Sequence, residues 1–375
     1  MAMKIPLKHP EPNIEEFKEI ILRRKVPKRV PFVEIHIDKE VIRYITEREL
    51  RKKWIEPLPG DKRDKKVEEE YLKNYVDCWY HLGYDGIRVS GDFRFSAGLV
   101  FKRKIRKGKD KNSLSQERNW SEENKGIISS WEDFEKYPWP SLNKINLWPL
   151  EFVSKNLPEG MGIFACPSMG ILEVVENELF GYENLCYLLY DNPELVKATF
   201  NKVGELIYGW YKKIIGLEKL VGFFQGDDMG FKTATLFSPD LLRKYVLPWH
   251  KKIAQLAHTH DLLYLFHTCG YVEPIMEDLI EDVKIDAKHS FEDSVTPVTQ
   301  FKKKYGDRIA VLGGIDMDKL CRLEESELRK YVRDILDKCM PGGGYALGSG
   351  NSIANYVPVK NYLTMLDEGA KWKRG

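Results

Sequence analysis

The fold is decided by two short apolar segments, "VGFFQGDD" at residues 221–228 and "LYLFHTCG" at residues 263–270, which both predict buried strands. The segment between them, "SPDLLRKYVLPWHKKIAQLAHTHD" at residues 238–261, has the apolar spacing of an amphipathic helix. Ser238 and Pro239 are a typical helix start, because a capping side chain precedes a proline at the first helical position. Strand, helix and strand in this order predict a crossover unit with two parallel strands.

The same alternation of strands and helices continues along the chain. Eight candidate strands are predicted at residues 30–38, 86–92, 162–168, 221–228, 263–270, 284–290, 308–316 and 344–350. Helical patterns separate most of them, so the chain is predicted to be an α/β protein of the (β/α)8 TIM barrel class. The alternative is a doubly wound open sheet. Against it, the segment "VEIHIDKEVIRY" contains no glycine and therefore no phosphate-binding loop after the first strand.

We expect a single domain over residues 1–375, with two additions to the barrel. Residues 1–29 are predicted as an N-terminal helical extension, and residues 93–160 as an insertion or lid between the second and third strands. The insertion contains "FKRKIRKGKDKN" at residues 101–112, which has seven basic residues and one acidic residue. A solvated hairpin is the favoured interpretation of this segment, and a lid or docking face is the alternative.

Composition and charge exclude several classes of protein. The formal net charge of +2 is the difference between 59 basic and 57 acidic residues, so neither nucleic acid nor a membrane surface is an expected partner. No apolar run approaches the roughly 18 residues that a membrane span requires, and none at the N-terminus has signal-peptide length. The six cysteines form no CxxC pair, which is unlike a disulfide framework. These features predict a cytoplasmic protein.

In a barrel of this class the chemistry lies at the carboxyl ends of the strands. Polar residues cluster at these predicted ends. The candidates for catalysis are Glu34, His36 and Asp228, and those for substrate binding are Arg88, Asp92, Gln225, Asp227 and Asn351. Because successive strand residues face opposite ways, only one of the consecutive aspartates is expected to enter the barrel. Alternation with Phe224 and Gly226 favours Asp228, and Asp227 has a helix cap or a salt bridge to Lys232 as its alternative role.

Other histidines and acids are interpreted from their positions. Glu34 and His36 share one face of the first strand and are predicted to point into the barrel, where polar groups need partners. By contrast, His250, His258 and His260 follow a helical spacing, so we interpret them as helix surface or helix end.

A metal site is one interpretation of "HTC". His267 and Cys269 lie two residues apart on a strand and can face the same way, and imidazole nitrogen with thiolate sulfur suits zinc. A catalytic zinc site normally has three protein ligands and one open position. His289 on the next strand is the nearest further donor, while Asp228 and Glu34 offer carboxylate oxygens. The alternative is a cysteine packed under the loop and a histidine bonded to substrate or backbone.

Five segments carry a resemblance to a known family, and they are "GFFQGDDMG", "LFHTCGYVEPIMEDLIE", "IDAKHSFED", "VLGGIDMDKL" and "GGGYALGSGNSI". Together they resemble the uroporphyrinogen decarboxylase superfamily, in its branch of corrinoid-dependent methyltransferases, which includes methylcobamide:thiol methyltransferases and O-demethylase methyltransferases. The resemblance covers residues 30–370 and is most specific from Val221 onward. It implies a (β/α)8 barrel, zinc bound by His267 and Cys269, and often a homodimer.

The departures from that family pattern concern the third ligand and the substrate. The thiol methyltransferases supply a further cysteine from the last strand, where this chain has Asn351, a poorer zinc ligand. By position, His289 is the favoured substitute, ahead of Asp228. The decarboxylases resemble one another in cationic residues that bind substrate carboxylates, whereas this chain has Glu34 and Asp38 there, and Arg88 and Arg94 alone are too few to replace those cations.

The resemblance implies a methyltransferase that moves a methyl group between a small methylated substrate or thiol and a corrinoid carried by a partner protein. Zinc would hold a thiol as thiolate, or an acidic group such as Asp228 would polarise the leaving oxygen or nitrogen of a methyl donor. Two alternatives are a cofactor-free decarboxylase of the uroporphyrinogen decarboxylase type and a tetrapyrrole-binding barrel without catalysis.

Overall fold

The structure is a computed structural model that describes residues 9–57, 64–90, 98–102, 105–109, 117–121 and 126–372. Asp92, a predicted substrate-binding residue, lies outside them, as do the first eight residues of the N-terminal extension and parts of the predicted insertion.

In the described part of the chain, seven parallel strands form one sheet in chain order. They are β1 (Gly86–Ser90), β4 (Gly162–Cys166), β5 (Leu220–Gly226), β6 (Leu263–His267), β7 (Ala287–His289), β8 (Ala310–Leu312) and β9 (Tyr345–Ala346). Two further strands, β2 (Ile105–Lys109) and β3 (Glu117–Ser121), pair antiparallel within the predicted insertion. The parallel order and the helices around the sheet confirm the predicted class of a TIM-barrel-like α/β fold.

The first predicted strand, residues 30–38, differs from the prediction because it forms only two isolated parallel bridges, Phe32 to Leu347 and Ile37 to Ile353. It therefore occupies the eighth position of the barrel beside the end of β9. On its other side the Arg88 guanidinium donates to the Ile35 carbonyl at 3.0 Å. No ladder between this segment and β1 is present in the described residues.

Fourteen α-helices are present in the described residues. They are α1 (Ile14–Ile21), α2 (Lys39–Tyr44), α3 (Lys65–Leu82), α4 (Trp131–Lys136), α5 (Trp148–Asn156), α6 (Ile171–Glu173), α7 (Tyr182–Asp191), α8 (Pro193–Ile214), α9 (Pro239–Tyr245), α10 (Leu247–Thr259), α11 (Val298–Tyr305), α12 (Met317–Arg322), α13 (Glu325–Cys339) and α14 (Val359–Lys371). Wider π-helical turns cover Ile45–Glu49, Val174–Phe180 and Asp278–Val283, and 3-10 turns cover Leu142–Lys144 and Glu273–Ile275. No helix in the described part of the chain is long and apolar enough to cross a membrane.

The helix predicted over residues 238–261 is divided into α9 and α10. Ser238 caps α9 as predicted, since its side chain accepts the Leu241 N–H. The division falls just before Pro248, which lacks an N–H and therefore fits the first turn of a new helix better than the interior of a long one.

The apolar core has two layers separated by the sheet. The inner layer fills the barrel and includes Val33, Ile35, Phe164, Phe224, Leu265, Ala287 and Leu312. Ile14, Phe17 and Ile21 of α1 join this layer, and α1 contacts the amino ends of the strands through Gly160 and Gly344. The amino end of the barrel is thus closed by apolar side chains, so the carboxyl end is the open mouth.

Candidate metal centre at the barrel mouth

Three predicted site residues converge where β5 and β6 end. Gly226 pairs with His267 in the sheet register, which brings Asp228 and Cys269 level with each other just beyond the two strands. One ligand atom each of Asp228, His267 and Cys269 lies within 4.8 Å of the other two. His267 Nε2 is 3.3 Å from Cys269 Sγ and 3.4 Å from Asp228 Oδ1. The alternation argument for Asp228 therefore agrees with its position in the mouth.

Asp228 is held in place by the backbone of the next strand. Its Oδ1 accepts a hydrogen bond from the Cys269 N–H at 2.8 Å. Burial alone would raise the pKa of Asp228, but the hydrogen bond and charge of His267 and the Cys269 N–H more than offset it, so the pKa is lowered. Asp228 is therefore a carboxylate, the form that binds a metal cation.

The Cys269 sulfur has two hydrogen-bond donors around it. Asn351 Nδ2 lies 3.2 Å and Ser290 Oγ 3.4 Å from Sγ. Burial, followed by the nearby Asp228 carboxylate, raises the pKa of the Cys269 thiol well above its ordinary value. A divalent cation at this position would offset both causes and favour the thiolate. The donor set of carboxylate, imidazole and thiol thus fits zinc, with three protein ligands available.

His289, the predicted third ligand, lies behind His267 instead of joining the three ligand atoms. Its Nδ1 is 2.7 Å from His267 Nδ1, and the two rings stack with centroids 4.9 Å apart. Burial, and then the charge of His267, lower the pKa of His289 well below its ordinary value, so this ring is neutral. His267 can donate its Nδ1–H to His289, and a cation at the mouth would then take the Nε2 lone pair in place of the proton that Nε2 otherwise shares with Asp228. His289 is therefore placed to orient a ligand.

Glu173 is a site residue that the sequence reasoning missed. It lies in the first turn of α6 and accepts backbone hydrogen bonds from Gly170, at 3.2 Å, and from Asp228. Burial, followed by the charges of Asp228 and Asp227, raises the pKa of Glu173 well above its ordinary value. These causes favour the protonated form of Glu173 beside the carboxylate of Asp228. Its sequence signal, an acid in the first turn of a helix, is common and does not by itself mark a site.

Asp227 faces away from the mouth and caps the N-terminus of α6. A helix cap was the alternative role predicted for this residue. Its carboxylate accepts the N–H groups of Ile171, Leu172 and Glu173 at 2.9–3.0 Å. His250 Nε2 lies 2.7 Å from the same carboxylate. The interpretation of His250 as helix surface is wrong, because its side chain is fully buried between Asp227 and the Tyr264 hydroxyl.

Gln225 also faces the helix layer, although it was a candidate for substrate binding. Its Oε1 accepts from the Tyr211 hydroxyl at 2.7 Å, and its Nε2 donates to the Gly226 carbonyl at 2.7 Å. It is odd-numbered like Asp227, and both side chains are fully buried on the outer side of β5. The alternation that directs Asp228 inward directs these two residues outward.

Glu34 is not on the inner face where it was predicted. Val33 and Ile35 belong to the inner apolar layer, and Glu34 points outward, where it accepts from the Ser349 N–H at 2.7 Å and hydroxyl at 2.5 Å. Burial raises its pKa to about 8. His36 remains at the rim, partly exposed, with its Nε2 3.3 Å from Asp38.

Arg88 is a cation in the barrel interior. Its Nε donates to the Phe224 carbonyl at 2.9 Å, and its guanidinium lies over the Phe224 ring at 5.7 Å. The Phe224 ring also contacts His289, edge to face. Arg88 is only partly buried, and since α1 closes the other end, its exposed part faces the mouth.

Comparison with known proteins identifies a family. The family model of uroporphyrinogen decarboxylase (URO-D) matches residues 161–372. No curated protein sequence matches the chain. A methyltransferase from Methanosarcina mazei is similar in structure, with a TM-score of 0.66 and 14% identity over 96% of this chain and 98% of that chain. A candidate vitamin-B12 independent methionine synthase from Listeria monocytogenes has a TM-score of 0.48 and 12% identity over 92% and 97%.

The similarity to the Methanosarcina mazei structure extends over nearly the full length of both chains and shows a shared fold. The family model spans more than half of the chain, and the matched residues include Asp228, His267 and Cys269. The resemblance in the sequence motifs is therefore confirmed at the level of the family. The chain belongs to the uroporphyrinogen decarboxylase family.

Proposed function

We propose that this protein is a metal-assisted methyltransferase, which moves a methyl group between a small methylated substrate or thiol and a corrinoid carried by a partner protein. The observation that carries the proposal is the convergence of Asp228, His267 and Cys269 within 4.8 Å at the barrel mouth. Three ligands with one position left open are the usual arrangement of a catalytic zinc site. The shared fold with a protein named as a methyltransferase is in keeping with this function.

Zinc, when bound by these three residues, would act as a Lewis acid toward the heteroatom that carries the methyl group, or toward a thiol acceptor. The protein's own groups then have separate tasks. His289 orients the His267 ring, and Asn351 and Ser290 direct hydrogen-bond donors at the Cys269 sulfur. These contacts fix the ligand atoms before a substrate arrives.

Glu173 is the proposed proton donor. A methyl group that leaves an oxygen or nitrogen leaves a basic atom behind, which needs a proton. Burial, followed by the charges of Asp228 and Asp227, raises the pKa of Glu173 well above its ordinary value, which favours the protonated form that a proton donor needs. Arg88 would contact an anionic part of the substrate at the floor of the mouth. Glu34, Gln225 and Asp227, by contrast, bond to the protein itself on the outer face.

Decarboxylation of a porphyrinogen is the second candidate, because the family is named for that activity. Such a substrate carries several carboxylates, which require several cations in the site. In this mouth Arg88 already donates to two backbone carbonyls, and the acids Asp228 and Glu173 lie in the same space. The charge distribution therefore favours the methyltransferase. The corrinoid partner, a homodimer and a cytoplasmic location stay predictions.

The test is methyl transfer to a free corrinoid. Purified protein, supplied with zinc and cob(I)alamin, is incubated with methanol, methylamines, methoxylated aromatic acids or methylated thiols, and methylcobalamin formation is followed by absorbance. We expect one class of donor to react, and Cys269→Ser and Asp228→Asn to abolish the reaction. Cys321→Ser, at a half-buried cysteine on α12, is the control. Equal rates for Cys269→Ser and the unaltered protein, or efficient conversion of uroporphyrinogen, would contradict the proposal.

A further inference from the structure

Lys288 occupies an unusual place for a charged residue. It is the middle residue of β7, between Ala287 and His289, which both face the barrel interior, so its side chain points to the outer layer. Its partners in the sheet register are Phe266 and Val311, both fully buried and apolar. Lys288 itself is only 3% exposed, and it forms no ion pair with an acidic side chain among the described residues. A buried ammonium without a counterion requires another explanation.

The ammonium of Lys288 contacts backbone carbonyls at the carboxyl ends of two strands. Nζ donates to the Ser290 carbonyl at 2.7 Å, to the Thr268 carbonyl at 3.3 Å and to the His289 carbonyl at 3.4 Å. It also lies over the Phe291 ring at 4.4 Å. All three carbonyls belong to the two turns that carry Cys269 and Ser290 into the mouth.

The peptide group between Thr268 and Cys269 is held from both ends. Its carbonyl accepts from the Lys288 ammonium, and its N–H donates to the Asp228 carboxylate at 2.8 Å. A positive charge at the oxygen and a negative charge at the N–H both match the dipole of the peptide. This arrangement fixes the rotation of the peptide plane from which the Cys269 side chain projects.

The turn at Ser290, which follows β7, is also bonded to the Lys288 ammonium. Ser290 has a φ of +85°, a left-handed conformation that is strained for a residue other than glycine. In that conformation its hydroxyl lies 3.4 Å from Cys269 Sγ and 3.0 Å from the Gly350 carbonyl. The Lys288 contact with the Ser290 carbonyl, the shortest of its three, offsets this strain and keeps the hydroxyl at the sulfur.

We propose that Lys288 is a positioning residue of the candidate metal centre, which sets the backbone of Cys269 and Ser290 so that the sulfur and its hydroxyl donor face Asp228 and His267. The inference deepens the proposed function and rests on it, since the centre is the one assigned there. Lys288 contacts neither the ligand atoms nor the open mouth, and it acts through backbone carbonyls alone.

Lys288→Met tests the proposal, because methionine keeps an unbranched chain and lacks the charge. Lys302→Met is the matched control, since Lys302, although only half-buried, also donates to backbone carbonyls, those of Gly343 and Gly344, at the opposite end of the barrel. We expect Lys288→Met to bind Zn²⁺ at least about ten-fold more weakly in a chelator competition, the size typical of lost metal-site support. Lys302→Met should bind it as the unaltered protein does.

Amide hydrogen exchange separates this proposal from the proposed function. Residues 268–271 should exchange faster in Lys288→Met than in the unaltered protein or in Lys302→Met, whether or not a metal is bound. If the unaltered protein binds no metal, the proposed function fails, and the exchange comparison still decides the role of Lys288. If Lys288→Met does not fold, Lys288→Gln, which keeps an N–H donor, takes its place. Unchanged exchange and unchanged Zn²⁺ affinity in the folded variant, or equal losses in Lys302→Met, would overturn the inference.

Discussion

The inner and outer faces of the strand ends use polar residues in opposite ways. On the outer face, Asp227 and Lys288 are buried and bond mainly to backbone groups of the loops above the sheet. On the inner face, Asp228, His267 and Cys269 contact one another, and two of the three are only half-buried. The polar atoms of the outer residues are thus hydrogen-bonded within the protein, whereas the inner residues present atoms that a ligand can reach.

Polarity at the end of a barrel strand therefore does not by itself indicate a functional site. Consecutive residues such as Asp227 and Asp228 have the same chemistry and nearly the same place in the chain. One satisfies the N-terminus of a helix, and the other lies in the candidate metal centre. The direction of the side chain decides between these roles, and variants at paired positions can test that division.

The largest expected effect on stability is at Asp227. Asp227→Ala removes a buried carboxylate that accepts three N–H groups and contacts His250, so we expect a loss of about 3–5 kcal/mol in the free energy of unfolding. Asp228→Asn, its neighbour on the inner face, should lose about 1 kcal/mol or less. Urea unfolding at pH 7 measures both. Equal losses of unfolding free energy in the two variants would contradict the different roles of the outer and inner faces.

A second effect concerns the pH dependence of stability through Glu34. Its pKa is about 8 in the folded protein against an ordinary 4.5, so the folded state holds a proton that the unfolded state releases. The contribution of the Glu34 proton to the free energy of unfolding is complete below pH 4.5. It decreases by about 1.4 kcal/mol per pH unit as the pH rises from 4.5, and it is lost once the pH has passed 8. Glu34→Gln cannot ionise and should lack this slope. Parallel curves of unfolding free energy against pH for the two proteins would contradict the placement of Glu34.

A third effect is expected in metal affinity on the inner face. Cys269→Ser replaces thiolate by a much weaker ligand, and we expect Zn²⁺ affinity to fall at least about 100-fold, or about 2.7 kcal/mol. Isothermal titration calorimetry against a competing chelator measures the change. Gln225→Glu, which alters a polar residue of the outer face near the same strand ends, should leave Zn²⁺ affinity unchanged. If Gln225→Glu lowered Zn²⁺ affinity as much as Cys269→Ser, the loss would reflect a general disturbance of the structure and not the removal of a ligand.

The smallest effect is expected at Asn351. Asn351→Ala removes one of the two donors to the Cys269 sulfur and leaves all three ligand atoms in place. We expect a decrease of about ten-fold in Zn²⁺ affinity, with little change in unfolding free energy. The same titration and urea experiments measure both quantities. A decrease as large as that of Cys269→Ser would identify Asn351 as a ligand instead of a donor to the sulfur.

Much of the fold could be predicted because the strands are marked by short apolar runs and Ser238-Pro239 marks a helix start. The inward direction of Asp228 followed from its alternation with Phe224, which lies in the inner layer. The outward direction of Glu34 did not follow, because residues 30–38 form only isolated bridges, and the face of such a segment is set by its neighbours in space.

The remaining errors also depend on tertiary contacts. The spacing of His250 in its helix is compatible with an exposed position. Its side chain is buried because α10 packs against the end of β5, where the imidazole hydrogen-bonds to Asp227. Glu173 comes near Asp228 because α6 begins above the end of β5, a contact between segments 55 residues apart in the chain. His289 was assigned as a ligand from its strand, but the shared hydrogen bond places it behind His267.

X-ray absorption at the zinc edge of the purified, zinc-loaded protein identifies the ligands of the candidate metal centre. We expect one zinc per chain, coordinated by one sulfur and several nitrogen or oxygen atoms, from Cys269, His267 and Asp228. Asn351→Cys serves as the reference, because it offers a second thiolate beside Cys269 and should add a second sulfur to the coordination shell. Absence of bound zinc, or a coordination shell without sulfur in the unaltered protein, would rule out the metal centre.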